Sequence, residues 1–179
     1  MVDTWFSSTV LTAAIGGAAS LFALAVNAII SNRQSRIARQ RHEFSKAFAA
    51  CVAYEESPYI IRRRRGDDLQ GERVRISSEL SAIQRELAYY SAWLAMESKD
   101  VSIAYENLVS LLREVAGTRM HEAWLTPPIE SDSGMNMPDL GLSTLKPLKV
   151  AYLSEVEYHL SILPRFIQRS IKCVGKKGV

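Results

Sequence analysis

The sequence is poor in the residues from which most catalytic and metal sites are built, since it has only two cysteines and three histidines among 179 residues. No CxxC or HExxH spacing occurs, and neither a glycine-rich phosphate loop nor a GxSxG elbow is present. The histidines His42, His121 and His159 are far apart along the chain. We therefore predict no catalytic residue, no metal ligand and no cofactor, and we expect a protein that is not an enzyme.

Ionisable side chains are absent from residues 4–32. Residues 10–30 are almost entirely apolar, and a helix rises about 1.5 Å per residue, so this stretch can cross the ~30 Å hydrocarbon core of a bilayer. We therefore predict that residues 1–32 form a single transmembrane helix, which anchors the protein. The lipid bilayer is the first partner that the sequence implies.

Basic residues follow the apolar stretch directly, whereas Asp3 is the only charged side chain before it. Because basic residues that flank a span are retained in the cytosol, the N-terminus is expected outside and the rest of the chain inside. This predicts a single-pass protein of the cell inner (plasma) membrane. Contacts with the inner leaflet are predicted for Arg33, Arg36, Lys172, Lys176 and Lys177.

A cleaved signal peptide is the competing interpretation of the same stretch, because Ala23 and Ala25 resemble a small-residue cleavage site. No lysine or arginine precedes the apolar run, however, and the run is longer than the ~7–15 apolar residues of a typical signal peptide. The sequence therefore favours an anchor that is retained.

One face of the predicted span carries little side-chain bulk. Thr9, Ala13, Gly16, Gly17 and Ser20 follow one another at helical spacing, which lets the backbone of a second helix approach closely. This pattern predicts that Ala13, Gly16, Gly17 and Ser20 mediate homo-oligomerisation in the membrane. The alternative is that alanine and glycine are simply common in membrane helices.

Apolar residues elsewhere repeat at spacings of three and four, the pattern of helices that bury one face. The repeat is clear over residues 76–94, 101–115 and 153–171, and a weaker version covers residues 37–52. We therefore predict an all-α fold, in which the transmembrane helix continues into a cytosolic antiparallel bundle of about four helices. Residues 33–56 are expected to be a basic stalk helix, and residues 57–179 the bundle.

Residues that favour turns place the helix boundaries. Pro58 is predicted to end the first cytosolic helix, Asp68 to open the second, Ser98 to begin a turn into the third, and Gly117 to close it. Residues 118–143 would then be a long loop, which is either functional or mobile because packing alone does not require its length.

Arg62, Arg63, Arg64 and Arg65 form the most basic run of the chain. A straight stalk of about 36 Å would hold them well beyond the ~8 Å reach of lipid surface charge, at the tip that they share with the long loop. This tip is predicted to bind a soluble protein or an anionic ligand, with Trp124 as an aromatic anchor; nucleic acid is a further candidate without a supporting motif. The loop brings acidic residues to the same tip, where either they pair with the arginines or both elements face a binding partner; these residues are Glu122, Glu130, Asp132 and Asp139. The alternative is a solvated, flexible loop.

Two functions are compatible with these features. In the first, the protein is a non-enzymatic recruitment module, which holds a helical bundle and its arginine-rich tip at the membrane. In the second, it is an effector of the defence or toxin type, gated by a ligand or partner, which oligomerises through its Gly/Ala-rich membrane helix and perturbs the bilayer.

Overall fold

The computed structural model describes residues 8–131, 134 and 141–161, with side chains described at residue 22 and from residue 24 onward. Over this part the chain has four α-helices and no strand, which confirms the predicted all-helical bundle. The helices are α1 (Ser8–Arg62), α2 (Leu69–Glu97), α3 (Lys99–Leu125) and α4 (Lys146–Leu160), and a short 3-10 helix (Leu142–Leu145) leads directly into α4.

The chain divides between His42 and Glu43 into two compact units, of which the first contains the N-terminal part of α1. Every side chain from Leu24 to Ile30 is exposed, including Leu24 at 65% and Ile29 at 69%, and so is Phe22 at 73%. Among the described residues, no helix carries a sufficiently long and hydrophobic stretch to cross a membrane. The described side chains do not include Ala13, Gly16, Gly17, Ser20, Lys172, Lys176 and Lys177.

The second unit, residues 43–179, begins within the segment predicted as a stalk. Phe44, Ala47, Cys51 and Tyr54 lie one helical turn apart on α1, and all four are buried. Because this spacing presents one continuous apolar face, the part of α1 that follows Glu43 belongs to the core of the bundle.

Pro58 does not end the first cytosolic helix as predicted, since α1 continues to Arg62 with Pro58 inside it. The hydroxyl of Ser57 donates a hydrogen bond to the carbonyl of Ala53, 3.2 Å away. Ile61, in the turn after the proline, is fully buried and packs in a cluster with Ile76 and Ala123. Burial of this last turn outweighs the cost of a proline inside a helix, which is about 3 kcal/mol.

The helical boundaries of α2 and α3 follow the sequence in part. The Asp68 carboxylate accepts a hydrogen bond from the backbone N–H of Gly71 at 2.8 Å, the predicted N-terminal cap of α2.

Gly117 does not close α3, which continues to Leu125. A β-carbon at this position would meet no neighbouring atom, and Ala116 and Ala123 on either side are buried, so packing carries the helix past the glycine. The loop therefore begins at Thr126.

Two buried tyrosines join the later helices to α1. The Tyr152 hydroxyl of α4 donates a hydrogen bond to the Phe44 carbonyl at 2.9 Å, and the Tyr105 hydroxyl of α3 donates one to the Ala47 carbonyl at 3.4 Å. The two rings lie 5.6 Å apart. Burial raises the pKa of both phenols, and it raises the pKa of the neighbouring Cys51 thiol from 9.0 to about 11. Cys51 is therefore a protonated core residue at neutral pH and not a nucleophile.

Candidate functional site

The candidate site is the connection between α1 and α2, where the four arginines follow one another. Helix α1 ends at Arg62, and the carboxylate of Asp68 caps α2, so the connection is only a few residues long. Its arginine side chains do not form one uniform basic patch. Each has a different environment, which divides the run into two residues that hold the connection in place and two that are exposed.

Arg64 is buried, with 6% of its surface exposed. Its guanidinium donates hydrogen bonds to the carbonyls of Ile61 at 2.9 Å, Ala123 at 3.0 Å and Thr126 at 2.7 Å, and reaches that of Trp124 at 3.4 Å. The last carbonyls of a helix have no partner within the helix, so a single arginine here satisfies the ends of both α1 and α3. Burial lowers the pKa of Arg64, and repulsion from Arg62 and Arg73 lowers it further.

Trp124 completes the site of Arg64. Its ring lies under the guanidinium, with 5.1 Å between the ring centroid and the central carbon of the guanidinium. The indole packs against the cluster of Ile61, Ile76 and Ala123. A guanidinium stacks favourably on an aromatic face, so Trp124 helps to fix the arginine over the end of α3.

Arg62 also binds the segment after α3. Its guanidinium donates a hydrogen bond to the carbonyl of Pro127 at 2.7 Å, and its own backbone carbonyl accepts one from the N–H of Ile129 at 3.3 Å. Of the acidic residues predicted for the loop, Glu122 binds Arg119 at 2.7 Å, whereas Asp132 and Asp139 lie outside the described residues. Backbone carbonyls hold Arg62 and Arg64.

Arg63 and Arg65 are the exposed members of the run. Arg65 makes a two-pronged ion pair with Asp67, with nitrogen–oxygen distances of 3.0 and 2.6 Å, and 70% of its side chain stays exposed. The hydrogen bond from Arg65 lowers the pKa of the Asp67 carboxyl. The Arg63 guanidinium lies 5.9 Å from the centre of the Tyr59 ring, and it has no carboxylate partner among the described residues.

A charged groove of about 430 Å³ lies beside Arg63, between α1 and the start of α4. It is lined by Glu55, Glu56, Tyr59, Arg63, Leu142, Ser143, Lys146 and Lys149. Lys149 forms an ion pair with Glu55, whereas the Lys146 ammonium has no carboxylate partner in the described part of the chain. This groove is not predictable from the sequence, because no motif connects a helix end with lysines some eighty residues later.

No group of three or more histidine, cysteine or acidic side chains that could hold a metal ion occurs within residues 8–131, 134 and 141–161. His159, which lies one turn from Glu155 in sequence, has its Nε2 atom 3.5 Å from the carboxylate of Glu97. His159 and Glu97 therefore form a histidine–carboxylate pair.

Comparisons of the chain with protein-family models, with curated proteins and with solved structures found no match.

Proposed function

We propose that the protein is a membrane-anchored, non-enzymatic interaction module whose helical bundle recruits a soluble partner through the exposed arginines Arg63 and Arg65. The observation that carries the anchoring is the apolar surface of α1. From Leu24 to Ile30 every side chain is exposed, and the exposed residues include leucine, valine and isoleucine. In water such a surface costs about 25 cal/mol for each Å² that is left uncovered, a cost that lipid removes.

The orientation proposed for the anchor follows from the charges around it. Residues 4–32 have no ionisable side chain, and Arg33 and Arg36 come next. With these arginines at the inner leaflet, the N-terminus lies outside and the bundle in the cytosol. Association of several copies through the N-terminal helix remains part of this proposal.

The proposed recruitment surface is supported by the different environments of the four arginines. Arg62 and Arg64 bind the end of α3, which fixes the backbone of the connection. Arg63 and Arg65 then project from a backbone that is already ordered. A partner with acidic or phosphorylated groups meets two guanidinium groups at a lower entropic cost than in a disordered loop.

Charged substitutions in the exposed apolar surface test the anchor. Phe22→Arg combined with Leu24→Arg should move most of the full-length chain out of the floating membrane fraction of a density gradient, because an arginine near the middle of a membrane helix costs about 3 kcal/mol. Gln34→Arg combined with Ser35→Arg adds the same charge at two exposed positions beyond the apolar stretch and should leave flotation unchanged. A wild-type chain that stays at the bottom of the gradient would contradict the anchor.

Neutral substitutions of the exposed arginines test recruitment. In cells that express the full-length chain, Arg63→Gln combined with Arg65→Gln should remove at least about 90% of the chemical crosslinks to the principal partner, because both guanidinium contacts are lost. Arg85→Gln with Arg113→Gln changes the net charge equally at exposed positions on α2 and α3 and serves as the control. Equal crosslinking in the two double variants would reject Arg63 and Arg65 as the recruitment surface.

The alternative effector function requires that a change in the bundle reach the membrane. The exposed apolar residues and the buried residues from Phe44 to Ile61 lie on one helix, α1. A change in the bundle would then act on the membrane through α1 itself. Entry of an impermeant dye into cells on induced expression would favour this effector over the recruitment module.

A further inference from the structure

We propose that the groove between α1 and α4 binds a small soluble phosphate ester that also carries a hydrogen-bond donor, such as an ammonium or hydroxyl group. This site goes beyond the proposed recruitment function. The two share Arg63, but the groove depends on Lys146 and Glu56, whereas recruitment depends on Arg65.

The charges in the groove provide the first argument. Lys149 and Glu55 are paired with each other, which leaves the cations of Arg63 and Lys146 and the carboxylate of Glu56 as the charged groups that face a ligand. None of these three makes an ion pair with another described residue. A guanidinium and an ammonium on opposite walls are the usual partners of a phosphate group.

The start of α4 and the 3-10 helix before it form one wall of the groove. Ser143 lies in the 3-10 helix, and Lys146, the first residue of α4, donates its backbone N–H to the Ser143 carbonyl. This segment therefore brings the Lys146 ammonium and the Ser143 hydroxyl, a neutral hydrogen-bonding group, to the same wall of the groove.

Glu56 determines the class of phosphate compound. A carboxylate in the groove repels a simple inorganic anion, but it accepts a hydrogen bond from a donor that is attached to the phosphate. The unpaired Glu56 carboxylate also disfavours an anionic bilayer surface. A volume of about 430 Å³ is that of a site for a small molecule, and the ring of Tyr59 gives such a molecule an apolar wall.

Calorimetric titration of the full-length chain with phosphoethanolamine, at constant ionic strength, tests the site. Wild type should bind saturably, and Arg63→Gln and Lys146→Gln should each weaken binding about tenfold, because each removes a charge-assisted contact. Arg65→Gln is the matched control, since Arg65 lies two residues after Arg63 in the chain but pairs with Asp67, and it should bind like wild type. Thermal unfolding of each variant verifies that the fold is retained.

Glu56→Gln is expected to change the affinities for two phosphate compounds in opposite directions. It should weaken phosphoethanolamine binding about tenfold, because the ammonium loses its partner, and strengthen the binding of inorganic phosphate, because a repulsion is removed. Glu114→Gln, at an exposed position on α3, should change neither. Absence of saturable phosphoethanolamine binding, equal losses in Arg65→Gln and Arg63→Gln, or a Glu56→Gln shift of the same sign for both compounds would overturn the proposal.

The experiments also separate this proposal from the recruitment function. Lys146→Gln should weaken phosphoethanolamine binding about tenfold while crosslinking to the partner persists, and Arg65→Gln should weaken crosslinking while phosphoethanolamine binding stays at the wild-type level. If the wild-type chain does not bind phosphoethanolamine but still crosslinks to the partner, the groove site is rejected and the recruitment function is not.

Discussion

Replacing Arg64 with alanine is expected to lower the free energy of unfolding by about 3 kcal/mol. The guanidinium donates to carbonyls at the ends of both α1 and α3. The alanine variant leaves the buried Ala123 carbonyl without a donor and removes the guanidinium from the Thr126 carbonyl, whereas the Ile61 carbonyl keeps the backbone N–H of residue 64. Each unsatisfied buried acceptor costs about 1–3 kcal/mol before relaxation and water entry reduce the sum. Denaturant unfolding of the full-length chain, followed by circular dichroism, measures the loss.

Two further variants separate the role of Arg64 from a general effect of charge. Arg63→Ala removes the neighbouring, exposed guanidinium and should change the unfolding free energy by less than about 0.5 kcal/mol. Arg64→Lys keeps the charge but lacks the planar fork that reaches several carbonyls at once, so it should retain less than half of the stabilisation. Equal stability of Arg63→Ala and Arg64→Ala would show that the bonds of Arg64 are not needed.

Replacing Tyr152 with alanine is expected to cost about 4 kcal/mol, the largest effect predicted for a single side chain in the bundle. The ring is fully buried, stacks on Phe48 with centroids 6.1 Å apart, and lies beside Tyr105. Its removal leaves a cavity where α4 meets α1. Thermal and denaturant unfolding of the full-length chain measure the change.

Tyr152→Phe isolates the hydrogen bond within that total. The phenylalanine variant keeps the ring but loses the donor to the Phe44 carbonyl, so it should cost about 1 kcal/mol. Val150→Ala, on the exposed side of α4, is the control for helix propensity and should be nearly neutral. A Tyr152→Ala variant as stable as Val150→Ala would contradict the view that Tyr152 fastens α4 to α1.

The helical fold was predictable because α2 and α3 each bury one regular apolar face. Ile76, Ile83, Leu87 and Leu94 recur at helical spacing, and each is buried. The errors fall where tertiary packing overrides a local signal. Pro58 and Gly117 normally interrupt helices, but the buried residues Ile61 and Ala123 beyond them extend α1 and α3.

The candidate site was predictable only in part. Four adjacent arginines identified the right connection, but their sequence does not reveal which of them meets a helix end. Arg64 is buried because the end of α3 passes beside it, a contact between residues about sixty positions apart. The groove depends in the same way on Lys146 and Arg63 from distant parts of the chain. Such pairings arise from the packing of helices and leave no local pattern.

The acceptors that hold Arg62 and Arg64 have a consequence for acidic conditions. Carbonyl oxygens do not gain a proton in the range where carboxylates do, so the contacts from these arginines to Pro127 and Thr126 persist at low pH. The pair between Arg65 and Asp67 differs, because the pKa of Asp67 is depressed and the pair survives until the pH falls below the ordinary value of 3.8. Acidification therefore releases the Arg65 guanidinium from Asp67, while the carbonyl contacts of Arg62 and Arg64 keep the connection bound to the end of α3.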